Sequence, residues 1–347
     1  MRMRLEKLIR DINGAESTSQ LIDCHKLIDQ QVKYVFPELT FSHMRNIFKE
    51  INSLHVLLKS KALELAAKDQ GIDKDGSFCW GMMGSGAREE QTVKTDQDNC
   101  LLYTDEKLGF DIDEFSSAGI QSLLKAGYPL CTGNVMATNP RWKFSVGHIN
   151  HSRPIDELFK DVRYVFILLD LVPLYGNESL LFSFREKVIS EIKQKEDLQV
   201  KMKAAAAGLQ VPIGPFGRIY VERYGSFAGK FNIKAGVYAP LVIALKYLSL
   251  LHGIGAVNSY CRLDELRRCG AIDESFSQEL SAALDILLYF RLRQSTLFQF
   301  DEEIHDFIAI EDLTKKQLGS LKKAMRTVQR LQSHVKKRGG RHEAFQQ

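Results

Sequence analysis

The sequence predicts an α+β protein in which a small sheet lies between two helical regions. Apolar residues recur with the spacing of amphipathic helices from the start of the chain to about residue 70. Short strand-like apolar runs and a helical pattern alternate between residues 75 and 185, and helical spacing returns from residue 186. Strands that alternate with helices are typical of a compact α/β or α+β unit, so the sheet is expected in the middle of the chain.

The N-terminal region is predicted to form a helical arm or a small bundle. The apolar residues that define its first two helices are Leu5, Leu8, Ile9, Ile12, Leu21, Ile28, Val32 and Val35. Those of a longer third helix, expected to end near Gly71, are Met44, Ile47, Phe48, Ile51, Leu54 and Leu58. Most neighbours within each set are three or four residues apart, which places them on one side of a helix.

The middle of the chain is predicted to contain two strands and a helix between them. The run "CLLYTD" (residues 100–105) is short and apolar, and "YVFILLDLVPLY" (residues 164–175) is a stronger strand candidate. The stretch "DEFSSAGIQSLLKAG" (residues 113–127) has helical spacing and ends at a glycine.

The C-terminal region is predicted to be helical again. "SEIKQKEDLQVKMKAAAAG" (residues 190–208) is expected to form one helix that ends at Gly208, and residues 208–240, rich in Gly and Pro, are expected to form loops or a hairpin. Three further helices are indicated by Leu241, Leu245 and Leu248, by Leu280, Leu284 and Leu287, and by Leu321, Ala324, Val328, Leu331 and Val335. The last residues, 339–347, are expected to be a frayed tail.

The composition is that of a soluble globular protein. The chain has 347 residues, of which 44% are hydrophobic and 26% charged, and this length suggests two or three domains. A net charge of +4 does not by itself indicate nucleic-acid binding. The basic, amphipathic N-terminus lacks the apolar core of a signal peptide, and no apolar run approaches the roughly 20 residues that cross a bilayer. We therefore expect a cytoplasmic protein without a membrane partner.

The cysteines and histidines do not form a recognisable metal or disulfide pattern. The six cysteines are scattered without a CxxC pair, which argues against a zinc site or a disulfide framework and for reduced, mostly buried thiols. Cys131 has no neighbouring histidine in the sequence and is expected to pack in the core. His148 and His151 are three residues apart without further ligands, so a structural role is expected for them too.

The stretch Gly81–Cys100 combines a small-residue turn with two nearby carboxylates, Asp96 and Asp98. On a strand, residues i and i+2 point to the same face, and two adjacent carboxylates repel each other unless a cation lies between them. Mg²⁺ binds carboxylate oxygens together with waters and substrate phosphates. The pair is therefore a candidate metal clamp of the kind used in phosphoryl or nucleotidyl transfer.

A candidate phosphate site precedes these aspartates. Gly84 and Ser85 allow close backbone approach, and "AREEQTV" (residues 87–93) is expected to begin a helix whose N–H groups would bind an anion. Arg88 and Lys94 add positive charge nearby, as phosphate contacts or as solvated charges on a helix. Either motif alone is more often structural, and it is their spacing that favours a site.

A second pair with the same spacing, Asp111 and Asp113, is assigned to structure. It lies where a helix is predicted to begin, and acidic residues commonly cap that end.

The motif resembles a known superfamily. Gly84-Ser85, ten residues and then Asp96-x-Asp98 resemble the signature of the DNA polymerase β-type nucleotidyltransferases. More narrowly, "GSGAREEQTVKTDQDN" resembles a bacterial nucleotidyltransferase family that is often fused to CBS or cyclic-nucleotide-binding domains. That family is similar to the protein-PII uridylyltransferase and glutamine-synthetase adenylyltransferase enzymes of nitrogen regulation.

The resemblance covers most of the chain. It extends through "GYPLCTGNVMATNPRWKFS" (residues 127–145), "FNIKAGVYAPLVIAL" (231–245) and the helices that follow. It implies a catalytic domain at 73–186 with a polymerase β-like fold and a small mixed sheet, between N-terminal helices (1–72) and a C-terminal helical domain for substrate binding (187–347). The usual N-terminal sensor domains are expected to be absent.

The superfamily requires a third carboxylate on a neighbouring strand, and the resemblance assigns this role to Asp170. An aspartate in so apolar a run is costly to bury unless it is paired or binds a metal. The chain departs from the family pattern at Val172, where an arginine is common, and at Asn177, where an aspartate is common. The second departure suggests altered substrate contacts or weakened activity.

The resemblance implies that Asp96, Asp98 and Asp170 bind Mg²⁺, with Mn²⁺ as an alternative, and that Asp170 can accept the proton of the attacking hydroxyl. Gly84 and Ser85 would then cradle a nucleoside triphosphate, with Arg88 and Lys94 stabilising its phosphates. Lys234 matches a family lysine and is a candidate contact for the acceptor or the triphosphate, with a surface role as its alternative.

Two further features have a functional and a structural interpretation. Trp142, next to Arg141 and Lys143, can stack on a base or anchor the core. The segment 322–341 carries eight Lys or Arg and no acidic residue, which is typical of a solvated helix face. Its alternative is a contact for RNA, a phosphate-rich substrate or an acidic protein.

The sequence therefore predicts a nucleotidyltransferase whose acceptor, by analogy with the nitrogen-regulation enzymes, is a regulatory protein. The alternatives are a catalytically weak or inactive nucleotide-binding regulator, and a transferase that acts on RNA or a small molecule.

Overall fold

A computed structural model describes residues 2–73, 76–93, 96–104, 109–146, 153–297 and 306–338. The helices are α1 (Arg2–Asn13), α2 (Thr18–Val35), α3 (Met44–Asp69), α4 (Gly84–Ala87), α5 (Ile112–Lys125), α6 (Arg153–Phe159), α7 (Val162–Leu168), α8 (Glu178–Gln194), α9 (Glu196–Gly208), α10 (Ala239–Leu251), α11 (Ser259–Arg268), α12 (Glu274–Leu297) and α13 (Lys315–Arg338). The strands are β1 (Phe78–Met82), β2 (Asn99–Tyr103), β3 (Lys143–Ser145), β4 (Val172–Gly176), β5 (Lys230–Asn232) and β6 (Phe307–Ala309). This is the predicted α+β fold.

The chain forms two compact units. The first contains residues 1–34 and 48–191, and the second contains residues 35–47 and 192–347. The three domain ranges expected from the sequence stay a prediction, because the units group the chain by contacts rather than by contiguous segments.

The first unit is built around a four-stranded mixed sheet in the order β3-β2-β1-β4. β1 pairs antiparallel with β2 and β4, and β2 pairs parallel with β3. Met82, at the end of β1, pairs with Asn99 on one side and Val172 on the other. The segments that precede β2 and β4 therefore lie at the same end of the sheet as the loop that follows β1.

Aromatic packing on β1 fixes the helix α5 against the sheet. The ring of Phe115 lies 4.9 Å from that of Phe78 and 5.8 Å from that of Trp80, centroid to centroid, with edge-to-face geometry. A Cβ atom at Gly119 would overlap with the Trp80 indole. The absence of a side chain at Gly119 therefore allows α5 to approach the central strand.

The pair Asp111 and Asp113 has the predicted structural role. Asp111 is the N-cap of α5, and its carboxylate accepts the backbone N–H groups of Asp113 and Glu114.

The N-terminal helices agree with the sequence prediction. α3 covers the long helical pattern and ends at Asp69, and Gly71 follows in the left-handed region at φ 65°. Its predicted core residues Met44, Phe48 and Leu58 are buried.

The predicted strand at residues 164–175 is wrong over its first half. Residues 162–168 form helix α7, and only Val172–Gly176 form a strand. Asp161 caps this helix by accepting the N–H of Arg163 at 2.9 Å. A continuous apolar run does not distinguish a buried helix from a buried strand, because both bury every face. Asp170 consequently lies in the turn between α7 and β4 rather than within a strand.

The second unit is helical except for the two-stranded pairing of β5 with β6. The helix predicted over residues 190–208 is divided at Lys195, where the Gln199 side chain donates to the carbonyl of Lys193 at 2.7 Å and so caps the end of α8.

The segment 35–47 also belongs to the second unit. Its Phe36 and Phe41 pack on Tyr289, with ring centroids 5.3 and 4.8 Å away.

The loop region predicted for residues 208–240 is present, with an isolated antiparallel bridge between Ile213 and Ile219. Two glutamines of α13, Gln329 and Gln332, donate to backbone carbonyls of this region at 3.1 and 2.6 Å. The region is therefore bonded to the last helix.

One segment of the described chain, Lys234–Leu251, is long and apolar enough to cross a membrane by length and composition alone. Most of it is buried inside the second unit, as in the core helix of a soluble protein.

All six cysteines are free thiols, four of them buried.

Replacing glycine by alanine is expected to change the free energy of unfolding in opposite directions in α5 and in α13. We expect Gly119→Ala to lower the free energy of unfolding by about 1–3 kcal/mol, because the new methyl group meets the buried indole. Gly319→Ala, in the exposed part of α13 with nothing within 4 Å, is expected to raise it by about 0.5–1 kcal/mol through helix propensity.

Urea denaturation followed by circular dichroism measures both, and tryptophan fluorescence reports on the first unit, which holds Trp80 and Trp142. A Gly119→Ala protein as stable as its control would show that the indole can shift freely.

Candidate functional site

The two sequence motifs meet at the end of β1. The N–H of Met83 donates to the carbonyl of Asp98 at 3.0 Å. Gly84 follows at φ 65°, and a Cβ atom there would overlap with Oδ2 of Asp98. Only glycine combines this backbone conformation with this approach. The loop after β1 is therefore in van der Waals contact with the second aspartate.

Asp96 and Asp98 lie on the same side of the segment that leads into β2. Between them, Gln97 is buried and its amide donates to the carbonyl of Tyr128 at 2.9 Å. The aspartates themselves are half-buried. This alternation is the one predicted for an extended segment, although β2 begins one residue later, at Asn99.

The third member of this cluster is Cys131. Ligand atoms of Asp96, Asp98 and Cys131 all lie within 4.8 Å of one another. The Cys131 thiol donates to Oδ1 of Asp98 at 3.3 Å. Burial, together with the charge of Asp98, raises the pKa of this thiol to about 12. In the absence of a cation the thiol is therefore protonated and acts as a hydrogen-bond donor to Asp98.

The donor set fits a hard divalent cation. Two half-buried carboxylates supply oxygen ligands and leave positions for water and phosphate, as Mg²⁺ requires. A cysteine thiol is a soft ligand and suits Zn²⁺ or Cu⁺ better than a hard cation such as Mg²⁺. Asp96 and Asp98 could therefore hold the ion, with Cys131 orienting the Asp98 carboxylate.

The helix expected over residues 87–93 is wrong. The turn of helix is α4, formed by Gly84–Ala87 itself, with Arg88 as its C-cap. Glu89 then adopts φ 59°, which a helix does not allow. Beyond it the backbone is held by tertiary bonds instead, since Gln91 exchanges two hydrogen bonds with the Asn52 side chain of α3, at 3.1 and 3.2 Å.

Arg88 and Asp170 form a buried ion pair. The guanidinium bonds the Asp170 carboxylate through Nη1 and Oε2 of Glu90 through Nε, the latter at 2.8 Å. All three side chains are buried. Asp170 is not part of the metal-ligand cluster found among the described residues. Arg88 is therefore a buried residue bonded to two buried carboxylates, and it does not lie on the solvated helix face that the sequence offered as an alternative.

The remaining predicted residues lie elsewhere. Ser85 is half-buried in α4, next to Gly84. Lys94 lies outside the described residues, as do His148 and His151. Lys234 belongs to the second unit, where its ammonium lies 3.4 Å from Asp306. Trp142 is buried in the core of the first unit, which agrees with its structural interpretation.

Sequence reasoning missed Lys59. This side chain of α3 is 5% exposed, and its ammonium donates to Oε1 of Gln91 at 2.8 Å. Burial lowers the pKa of Lys59 to about 8, while the nearby charges of Asp98 and Asp96 act in the opposite direction. The signal was available, because Asn52, His55 and Lys59 are polar residues at helical spacing next to an apolar stripe.

Two histidines lie in the same polar interior. Nδ1 of His55 is 2.8 Å from the Tyr128 hydroxyl, and Nδ1 of His25 is 3.0 Å from the carbonyl of Ala126. The His25 and Tyr128 rings stack with centroids 4.7 Å apart. Burial lowers the pKa of both imidazoles, and that of His55 falls well below its usual value.

Family models match most of the chain. Residues 30–152 match the family described as "Putative nucleotidyltransferase DUF294", and residues 196–338 match "Putative nucleotidyltransferase substrate binding domain". No curated protein matches the chain. The chain belongs to this nucleotidyltransferase family, which supports a general nucleotidyl-transfer function and a nucleotide substrate.

The contact between Gly84 and Asp98 yields a test. We expect Gly84→Ala to lower the free energy of unfolding by about 1–2 kcal/mol, because alanine is strained at positive φ. It should also displace the Asp98 carboxylate and weaken Mn²⁺ binding, measured by electron paramagnetic resonance. Gly133→Ala is the control, because a Cβ there makes only ordinary contacts, 3.6 Å from Cys131. If Gly84→Ala binds Mn²⁺ as tightly as the wild type, the conformation of the glycine loop does not affect metal binding by Asp98.

The histidines predict a loss of stability in acid. Both pKa values are depressed in the folded state, so below about pH 6.5 the unfolded chain binds protons that the folded chain does not. Stability is therefore complete above this pH and falls below it, by up to about 1.4 kcal/mol per pH unit for each histidine. Urea denaturation between pH 7 and 5 measures the slope.

The slope should flatten in the His25→Gln/His55→Gln protein and persist in His252→Gln, a substitution at an exposed position. An equally steep slope in the double variant would assign acid sensitivity to other groups.

Proposed function

We propose that this chain is a Mg²⁺-dependent nucleotidyltransferase that moves a nucleoside monophosphate from a nucleoside triphosphate to an acceptor hydroxyl. The observation that supports this most strongly is the contact of the glycine loop at Gly84 with Asp98, beside Asp96. A glycine-containing loop that approaches two carboxylates this closely provides neighbouring places for phosphates and for their metal ion.

Asp96 and Asp98 would hold Mg²⁺, with Mn²⁺ as an alternative. When bound, the ion offsets the negative charge of the phosphates and stabilises charge that develops on the leaving group. Gly84 and Ser85 would approach the phosphates through their backbone. Arg88 supports this loop from inside through its bonds to Asp170 and Glu90, and Lys94 is a proposed phosphate contact.

The reaction is a displacement at the α-phosphorus. The acceptor oxygen forms a bond to this phosphorus, the bond to the oxygen bridging to the β-phosphorus breaks, and pyrophosphate leaves with its electron pair. The hydroxyl proton passes to a carboxylate, and we assign this role, together with a third metal contact, to Asp170. Because Asp170 is bonded to Arg88, it must exchange this partner to take part.

The proposed acceptor is a hydroxyl of a regulatory protein in the cytoplasm, which would make the reaction part of signal transduction. The transferred group is UMP or AMP by analogy with the nitrogen-regulation enzymes. The second unit, with Lys234, is the proposed acceptor-binding part, in line with the substrate-binding description of its family model.

A catalytically inactive nucleotide-binding regulator is the main alternative, because of Val172 and Asn177. The structure gives Asn177 a structural task, since its amide donates to the carbonyl of Gly76 at 3.0 Å and its oxygen accepts the N–H of Ser179 at 3.0 Å. An aspartate could not make the first of these bonds. These two hydrogen bonds therefore explain an asparagine at position 177 without assuming that the protein has lost activity.

An RNA acceptor is the second alternative. α13 contains nine Lys or Arg and no acidic residue in "KKQLGSLKKAMRTVQRLQSHVKKR". The loop bonded to it exposes Phe216 completely and Tyr224 almost completely. Exposed aromatic rings together with basic side chains are suited to stacked bases and phosphates.

A transfer assay tests the proposed function. Purified protein is mixed with Mg²⁺, cell lysate and each of the four α-³²P-labelled nucleoside triphosphates. We expect label to be transferred by the wild-type chain and to fall at least about 100-fold in Asp96→Asn/Asp98→Asn, because the metal ligands are lost. Asp111→Asn/Asp113→Asn, which changes the other pair of the same spacing, is the matched control and should retain activity.

Treating the labelled product with protease or ribonuclease identifies the acceptor. Label released by protease supports a protein acceptor, and label released by ribonuclease supports the RNA alternative. Nucleotide binding without transfer under all these conditions would favour the inactive regulator.

A further inference from the structure

Lys59 is a buried cation that the proposed reaction does not use. Its ammonium donates to a neutral amide, that of Gln91, and lies 4.7 Å from the centre of the Tyr128 ring. Among the described residues no carboxylate lies within ion-pair distance of it. A buried ammonium without a bonded carboxylate is costly, so its retention calls for a reason beyond packing.

The Lys59 ammonium lies beside the glycine loop. A Cβ atom at Gly86 would be 3.4 Å from Nζ of Lys59, and one at Gly84 would overlap with the Asp98 carboxylate. The loop Gly84–Gly86 therefore has the ammonium at one end and the carboxylate at the other. The charges of Asp98 and Asp96 both act on Lys59 and favour its protonated form.

A fixed positive charge beside this loop has opposite effects on the binding of a metal ion and of phosphate. It repels a divalent cation from Asp96 and Asp98, because like charges in a protein interior interact more strongly than in water. It attracts the phosphates that the same loop would receive. The metal is thus disfavoured while the site holds no phosphate.

We infer that Lys59 is a positioning residue that couples metal loading to nucleotide loading, so that the site takes up its divalent cation together with a triphosphate rather than alone. This inference rests on the proposed function, since it requires Asp96 and Asp98 to be the metal ligands. The geometry that carries it is the burial of Lys59, its neutral partner Gln91 and the position of its ammonium next to Gly86, where an added Cβ atom would lie 3.4 Å from Nζ.

A merely structural role for Lys59 makes a different prediction. If the side chain only satisfied Gln91 and packed on Tyr128, its removal would loosen the loop and weaken the binding of metal and phosphate alike. A change of opposite sign in the two affinities arises from charge and not from loosening.

Lys59→Met removes the charge and keeps most of the side-chain volume. We expect Mn²⁺, added alone and followed by electron paramagnetic resonance, to bind about tenfold more tightly than to the wild type, and inorganic tripolyphosphate, followed by calorimetry, to bind about tenfold more weakly. Tripolyphosphate has no base, so the result does not depend on which nucleotide is the substrate.

Two further variants complete the experiment. Lys61→Met, on the same helix and ion-paired with Glu64 at 2.6 Å, should leave both affinities unchanged. Gln91→Glu gives Lys59 a carboxylate partner at the same position and should shift both affinities in the direction of Lys59→Met. It keeps the inference testable if the methionine variant does not fold, which circular dichroism shows.

The outcomes separate the inference from the proposed function. If Asp96→Asn/Asp98→Asn abolishes Mn²⁺ binding but folded Lys59→Met stays within about twofold of the wild type, or loses both affinities together, the coupling role is overturned and the proposed function stands. If the wild type binds Mn²⁺ no better than the aspartate variant, the metal site itself is wrong and both proposals fall.

Discussion

The pairing of β1 with a strand on each side is the constraint on which the first unit depends. Because β2 and β4 both run antiparallel to it, the chain enters each of them at the end where β1 leaves the sheet. Asp98 and Asp170 lie just before those entries, and Gly84 follows the exit. These three residues come from separate segments of the chain, and the strand pairing places them at the same end of the sheet. The aromatic layer of Phe78, Trp80 and Phe115 holds the strand that makes this convergence possible.

Much of this arrangement could be predicted from the sequence, and the limits have physical causes. Helical spacing located α3 well, because one of its sides is apolar over many turns. The aspartate pair and the glycine turn were recognised from local spacing alone. The apolar run at 164–175 was misassigned because burial on all sides removes the periodicity that distinguishes helix from strand. The segment 87–93 was misassigned because its conformation is set by Asn52 and Asp170, which local propensity does not include.

The interior below the candidate site is polar rather than apolar, and this links its stability to its chemistry. Arg88 is buried with two carboxylates, and Lys59 is buried with an amide and an aromatic ring. Such groups are stable inside a protein only when their partners are held in place. Helical spacing in the sequence places Asn52, His55 and Lys59 together beside the apolar stripe of α3, but an exposed polar side gives the same pattern, so spacing alone does not show that Lys59 is buried. The position of the glycine loop therefore depends on charges that never reach the surface.

The segment 35–47 has a consequence for the architecture of the whole chain. It contributes Phe36 and Phe41 to the packing around Tyr289, far from the rest of the second unit in sequence. A gene fragment that begins at residue 192 would thus encode the second unit without some of its own core. Because the second unit is discontinuous in sequence, a single cut in the chain does not separate it intact from the first unit. Truncation between residues 191 and 192 would leave the surface around Tyr289 without the rings of Phe36 and Phe41 that cover it.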